Sequence, residues 1–195
     1  LYTLLRLCAV PLWLDKGVLA VLRGREDGTE SSVLERLSHY SFFYEWADRF
    51  SISREARLAL LADWSTDPDG FLSINRQLLA HFEARLTTDP PRDPVRLERL
   101  IQSQLYHTMI VDPDAGIGLL GRLFQQAQDD HRLSAARQYL LVFTEMQPLL
   151  SPEVTAYRVY FGTDAGSYSF VTNAGLVLTQ TVVLPHSGRW FFAAT

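Results

Sequence analysis

The chain has 195 residues, of which 47% are hydrophobic and 21% charged, a balance typical of a globular protein that buries its own core. Acidic residues outnumber basic ones by 22 to 18, so the net charge of −4 argues against a general polyanion binder. The single cysteine, Cys8, lies in an apolar run, which predicts a buried thiol and excludes an intrachain disulfide.

The first part of the chain has apolar residues at helical spacing, with capping and helix-ending residues between them, as successive helices have. Apolar residues at helical spacing predict a first helix, which Pro11 ends. Asp15 is placed to cap a second helix and Gly24 to terminate it. A third helix is expected to begin at Ser31 or Ser32.

The periodicity changes after the third helix. Residues 42–52 contain β-favouring aromatic residues on both sides of a turn at Ala47-Asp48, which predicts a small hairpin. Ser53 is expected to cap a fourth helix, with Leu61 on its buried face and Arg57 exposed.

A proline-rich segment, residues 87–94, is the clearest internal boundary. A fifth helix is predicted before it, and three more follow over 95–110, 115–129 and 133–149. The apolar stripe of the last helix consists of Leu133, Ala136, Leu140 and Phe143. This succession is typical of antiparallel helix pairs.

Beyond Pro152 the chain changes to β-favouring runs with few charges. Runs at 157–161, 168–170, 179–184 and 190–194 are separated by turns that contain glycine or proline, which predicts hairpins.

Several segments of the first part share one known pattern. They are residues 7–11, 15–22, 34–37, the wing 42–52, 54–61 and the helix that ends in His81-Phe82-Glu83. Residues 5–86 thereby resemble the winged-helix domain that follows the nucleotide-binding module in signal-transducing NTPases of the STAND class (NB-ARC type). Residues 99–152, with Leu105-Tyr106-His107 and Leu149-Leu150-Ser151-Pro152, resemble the TPR-like helical arm of bacterial members. Where many members have a nucleotide-reaching histidine after the wing, this chain has Ser53.

Residues 157–163, Tyr168, the run 181–184 and the segment from Leu184-Pro185 to Trp190 share a second pattern. Residues 156–195 thereby resemble part of a fibronectin type III domain. In that family a tyrosine commonly follows the leucine by six places, and Trp190 stands there. The two opening strands are absent, so the resemblance implies an incomplete antiparallel unit.

The resemblances imply a mainly α fold in three parts. Residues 1–87 are expected to form a winged helix, 95–150 antiparallel helical-repeat hairpins and 154–195 the small β unit. Both ends look cut, and the implied function is a regulatory, protein-interacting segment of a larger signalling ATPase. Its partners would be the upstream NTPase module of the same parent protein and an unknown protein on the arm. No Gly-x-x-x-x-Gly-Lys-Ser/Thr loop occurs, so any ATPase activity is expected upstream.

No catalytic, cofactor-binding or metal-binding set is expected, because the five histidines lack the spacing of zinc ligands. The candidate interaction surface is the aromatic set Tyr40, Phe42, Tyr44 and Trp46. Core packing of the wing is the expected role of these aromatic residues. A contact surface toward a neighbouring domain is the functional alternative.

Two other functions stay open at this point. One is a DNA-binding transcriptional regulator, although the third helix has Glu30 and Glu35 against Arg36 alone, the wrong charge for a major groove. The other is an adhesion or accessory protein that acts through the fibronectin-like stretch. No apolar run reaches the roughly 20 residues of a membrane span, and the lone cysteine suits a reducing compartment, so a cytoplasmic location is expected.

Overall fold

The structure, a computed structural model, describes residues 1–46 and 49–146 together with the strand segments 157–162, 170–175 and 191–194. It divides into two compact units, Leu1–Glu145 and Met146–Thr195. The elements before the second unit's strands are, in order, α1 (Tyr2–Cys8), α2 (Lys16–Arg23), α3 (Glu30–Ser38), β1 (Phe43–Trp46), β2 (Arg49–Ile52), α4 (Arg54–Ala62), a 3-10 turn (Asp63–Thr66), α5 (Pro68–Thr88), α6 (Pro94–Val111), α7 (Pro113–Asp129) and α8 (Leu133–Met146). The fold of the described residues is mainly helical, which confirms the mainly α part of the predicted class.

Short polar side chains set the helix ends where the sequence predicts them. The Asp15 carboxylate accepts a hydrogen bond of 2.8 Å from the Val18 N–H at the start of α2, and Gly24 ends that helix with φ of 63°. Glycine suits this left-handed conformation because it has no Cβ to clash. The Ser53 hydroxyl accepts from the Ala56 N–H at 3.3 Å and caps α4.

The start of α3 differs from the prediction by one residue. The helix begins at Glu30 rather than at Ser31 or Ser32. The buried Glu30 carboxylate accepts a hydrogen bond from the Asp27 N–H at 3.1 Å and lies 3.6 Å from Arg23 Nη1. These contacts hold Glu30 in the first turn, because a carboxylate that bonds back to a preceding N–H stabilises a helix start.

The predicted hairpin is present, and a third segment joins it. β1 and β2 pair antiparallel, with Phe43 opposite Ile52. On the other side of β2, Leu14 and Phe50 exchange two backbone hydrogen bonds of 2.8 Å. Along the chain, α1 is therefore followed by Leu14, which bridges to β2, then by α2 and α3, and then by the hairpin. The predicted turn, residues 47–48, lies outside the described residues.

The core of the first unit lies where α2, α5 and α6 meet. The fully buried residues there include Leu19, Leu78, Phe82 and Leu105. Residues 89–93 connect α5 to α6, and these two helices pack against each other. The proline-rich segment thus joins two helices within one compact unit. Among the described helices, none combines the length and apolarity needed to cross a lipid bilayer.

Two burial predictions are wrong. Arg57 of α4 is buried, with only 5% of its surface exposed, rather than exposed. In α8, Leu133 and Leu140 of the predicted stripe are 72% and 49% exposed, whereas its Ala136 is buried as predicted. Ala135 and Tyr139, outside the predicted stripe, are buried as well. Burial, with the neighbouring Glu98 carboxylate of α6 as the second cause, raises the pKa of Tyr139, so α8 turns the Tyr139 face inward toward α6. The side chain of Phe143, predicted on the stripe, lies outside the described residues.

The second unit contains β3 (Tyr157–Gly162), β4 (Phe170–Gly175) and β5 (Phe191–Ala194). The strand order is β4-β3-β5, and β3 pairs antiparallel with both neighbours. This agrees with the predicted hairpin about residues 162–166. The run 179–184 and the residues Tyr168 and Trp190 lie outside the described residues.

Candidate functional site

A buried arginine connects three segments of the first unit. The Arg57 Nε donates to the Ala9 carbonyl at 2.9 Å, and its Nη2 donates to the Val10 carbonyl at 3.3 Å and to the Tyr106 hydroxyl at 2.8 Å. The carbonyls follow the end of α1, where Pro11 has no N–H and stops the helix, so they need donors from elsewhere. Arg57 supplies them.

These contacts, which we name the Arg57 junction, tie the end of α1, α4 and α6 together. A buried guanidinium is tolerated only where protein acceptors replace the lost water. Two carbonyl oxygens and one phenol oxygen provide that replacement here. The guanidinium also lies 5.4 Å from the centroid of the Tyr106 ring. Because hydrogen bonds depend on direction, the junction fixes the position of α6 relative to α4 and the end of α1.

A second buried pair lies beside the junction. His107 Nδ1 is 2.8 Å from Asn75 Oδ1, and the Asn75 amide nitrogen donates to the Phe71 carbonyl at 2.8 Å. Because the amide nitrogen is used as a donor, its oxygen is the acceptor, and His107 Nδ1 carries the proton. The His107 ring stacks on Phe82 with centroids 5.5 Å apart.

The His107 ring is held neutral. Its complete burial, with the positive charge of Arg57 as the second cause, lowers its pKa from 6.5 to about 3. Protonation would place a charge in a fully buried site and next to another cation. The unprotonated Nε2 has no hydrogen-bond partner among the described residues. The imidazole thus acts as a packing and hydrogen-bonding group.

An open cleft of about 680 Å³ lies between α2, α3, the hairpin and α5. The Arg85 guanidinium donates to Asp15 at 2.8 Å within it. The ring of His81 lies against Gly17, where a Cβ would stand 3.2 Å from His81 Cε1. Partial burial and, to a smaller extent, the charge of Arg85 lower the pKa of His81, while Asp15 opposes them.

The cleft suits binding better than acid–base catalysis. One Asp15 oxygen accepts from the Val18 N–H and the other from Arg85. Both carboxylate oxygens are therefore engaged, and Asp15 does not orient His81 as the acid of a catalytic triad orients its base. Within the described ranges, no three His, Cys, Asp or Glu side chains converge to hold a metal ion.

The predicted aromatic set divides into two parts. Tyr40 and Phe42 are half-buried and stack on each other with centroids 5.5 Å apart. Tyr44 and Trp46 are 50% and 63% exposed, and they lie on one face of β1 because alternate strand residues point the same way. Phe43, on the opposite face, is buried. Core packing thus accounts for Phe43, whereas Tyr44 and Trp46 are open to contact.

No protein-family model, curated protein or solved structure matches the chain. Its function is accordingly argued from its own side chains.

The residues that the sequence interpretation missed are Arg57, Asn75 and the role of His107. One signal was present for Arg57, which precedes the predicted core residue Leu61 by four positions and so shares its helix face. No comparable signal identifies Asn75, because its partner comes from another helix 32 residues away.

Proposed function

We propose that this chain is a non-enzymatic regulatory segment in which a winged helix, residues 1–87, and a helical arm, residues 95–150, move as one body. Binding of a protein partner to the arm would shift the winged helix against an NTPase module of the same parent protein. The observation that carries this proposal is the buried hydrogen bond of 2.8 Å from Arg57 to Tyr106. A link of this kind transmits displacement, because moving either helix alone would remove one of the acceptors of a buried charge.

The connectivity of the first unit supports the winged-helix part of the proposal. A helix, the Leu14–Phe50 bridge, two helices and the hairpin follow one another in the order of a winged helix. The packing of α6 against α7, which follow each other directly in the chain, supports the repeat-like arm.

Exposed apolar side chains support the proposal that this chain binds protein partners. The arm exposes Ile117 on α7 and Leu140 and Leu141 on α8, and the hairpin exposes Tyr44 and Trp46. Exposed apolar groups are typical of interaction surfaces when they cluster, and aromatic residues are frequent anchors of interfaces. We assign the arm surface to the unknown protein partner and the hairpin to the NTPase module.

The test compares ATP affinity of the parent protein with and without residues 1–150. Allosteric coupling typically changes affinity by about 5- to 150-fold, and we expect a change of that size on deletion. Tyr106→Phe should reproduce part of it by weakening the junction, while Tyr2→Phe, at an exposed tyrosine of α1, should not. An unchanged ATP affinity after the deletion would refute the regulatory role.

The charge of α3 favours a protein partner over duplex DNA. Its exposed residues are Ser31, Ser32, Glu35 and Arg36, which provide one positive and one negative charge. A recognition helix gains affinity from a surplus of positive charge. Duplex binding that weakens steeply with salt would instead favour the transcriptional-regulator alternative.

An adhesion role would rest on the second unit alone. Its three antiparallel strands, in the order β4-β3-β5, suit a fibronectin-like sandwich and many other antiparallel sheets equally. Saturable binding of the isolated residues 146–195 to a surface carbohydrate or protein would favour this alternative.

A further inference from the structure

A small recess of about 70 Å³ lies beside the open cleft and shares Asp15, Arg85 and Arg96 with it. Its other lining residues include Trp13, Arg49 and Arg99. The four arginines come from β2, α5 and α6, so the fold brings together side chains that are far apart in sequence. We call this feature the arginine recess.

The guanidinium groups of the recess are positioned by neighbouring groups. Arg85 is paired with Asp15 at 2.8 Å, Arg49 lies over the Trp13 ring at 5.6 Å, and Arg96 Nε lies 3.7 Å from Asp93. The described lining holds four guanidinium groups against the single carboxylate of Asp15, a surplus of three positive charges. A small space with this surplus of positive charge suits a compact oxyanion.

The wider cleft has different chemistry. Glu35 and Glu45 line the cleft but not the recess, as do the hydroxyl-bearing Ser31 and Ser38. Carboxylates accept hydrogen bonds and repel further negative charge, so this part disfavours a second phosphate and a nucleic-acid backbone. It favours hydroxyl or ammonium groups. Its volume of about 680 Å³ lies in the range of roughly 300–1,000 Å³ that small-molecule sites occupy.

We propose that the cleft binds a small phosphate monoester whose phosphate occupies the arginine recess and whose donor-rich body, a sugar or an amine, lies against Glu35 and Glu45. A phosphate fits this recess better than a carboxylate does, because a dianion is attracted more strongly than a monoanion to the surplus of positive charge. The ligand would contact both the hairpin and α6. This inference goes beyond the proposed function and holds whether or not the segment regulates an NTPase.

The first experiment measures binding of inorganic phosphate and of glucose 6-phosphate to the 195-residue chain by isothermal titration calorimetry. Sodium chloride at matched ionic strength is the reference. We expect saturable binding of both probes and tighter binding of glucose 6-phosphate. Heats that do not differ from the chloride reference for either probe would overturn the proposal.

Substitutions of two arginines of the recess test whether the phosphate binds there. Arg99→Gln on α6 and Arg49→Gln on β2 should each weaken both probes about tenfold, the loss typical of one charge-assisted contact. Arg122→Gln, at an exposed arginine of α7, is the matched control and should bind like the unmodified chain. The two recess variants lie on different elements, and circular dichroism reports the fold of each. Unchanged affinity in a folded Arg99→Gln or Arg49→Gln chain would contradict the assignment.

A third variant tests the body of the ligand. Glu35→Gln should weaken glucose 6-phosphate and leave inorganic phosphate unaffected, because only the sugar reaches this carboxylate. An equal affinity of this variant and the unmodified chain for glucose 6-phosphate would refute the sugar-binding part. Phosphoserine and phosphoethanolamine, tested in the same way, distinguish an amine body from a sugar.

Discussion

Gly116 of α7 packs against Met109 of α6 so closely that a Cβ on Gly116 would lie 2.6 Å from Met109 Cα and 2.9 Å from its backbone nitrogen. Backbone atoms cannot rotate away as a side chain can, so α7 would have to move. Gly116→Ala should therefore lower the free energy of unfolding by about 1–3 kcal/mol, the usual cost of overpacking. Urea denaturation measures the change.

Gly121 provides the control on the same helix. A Cβ there meets no atom within 4 Å, so only helix propensity changes. Gly121→Ala should raise the free energy of unfolding by up to about 1 kcal/mol. Equal effects of the two substitutions would contradict close α6–α7 packing at Gly116.

The Arg57 junction predicts non-additive substitutions. Tyr106→Phe removes one acceptor from a buried guanidinium and should cost about 1–3 kcal/mol. Arg57→Met leaves the Ala9 and Val10 carbonyls without their donor and should cost at least as much. The double variant should be less destabilised than the sum by about 0.5–3 kcal/mol, the coupling of residues in contact. Arg54→Met, at an exposed position of α4, is the control for losing an arginine, and strict additivity would refute the coupling.

His107 predicts a loss of stability in acid. Its pKa is about 3 in the folded chain against an ordinary 6.5, so between these values the unfolded chain binds a proton that the folded chain does not. The free energy of unfolding should therefore fall as the pH drops from about 6.5, by up to about 1.4 kcal/mol per pH unit. The lowered pKa of His81 acts in the same direction.

The variant His107→Gln isolates the contribution of His107. Measured by urea denaturation between pH 6.5 and pH 4.5, its acid slope should be shallower than that of the unmodified chain. His39→Gln removes an exposed histidine and should keep the full slope. A slope that His107→Gln leaves unchanged would show that His107 is not the titrating group.

Substitutions of the aromatic residues on the two faces of the hairpin should change the free energy of unfolding by different amounts. Tyr44→Ser and Trp46→Ser, at exposed positions, should change the free energy of unfolding by no more than about 0.5 kcal/mol. Phe43→Ala, at a buried position, should cost about 3–5 kcal/mol. Thermal or urea denaturation of the three variants gives the comparison, and a large loss in Trp46→Ser would assign that residue to the core instead.

Local signals carried most of the fold prediction. Asp15, Gly24 and Ser53 act within one helical turn of themselves, so their roles can be read without knowing what packs nearby. The face of α8 could not be chosen in this way, because apolar residues lie all around it: Leu133, Leu140 and Leu141 are exposed, whereas Ala135, Tyr139 and Val142 are buried. Its periodicity alone does not decide which side meets α6.

The junction could not be predicted for a related reason. Its bonds join residues 47, 48 and 49 positions apart, and their formation depends on which helices meet. An arginine in an amphipathic helix is usually exposed. The carbonyls beyond α1 and the phenol from α6 reverse that expectation for Arg57.

The pairing of Arg57 with Tyr106 also constrains how the chain can diverge. A relative with an aliphatic residue at position 57 would lose the donor of this bond to the Tyr106 hydroxyl, and phenylalanine at 106 alone would remove one acceptor of the guanidinium and leave the two carbonyls. The two sites should therefore be exchanged together during evolution, giving arginine with tyrosine in some lineages and an aliphatic residue with phenylalanine in others. Such correlated exchange would mark relatives that join their helices in the same way.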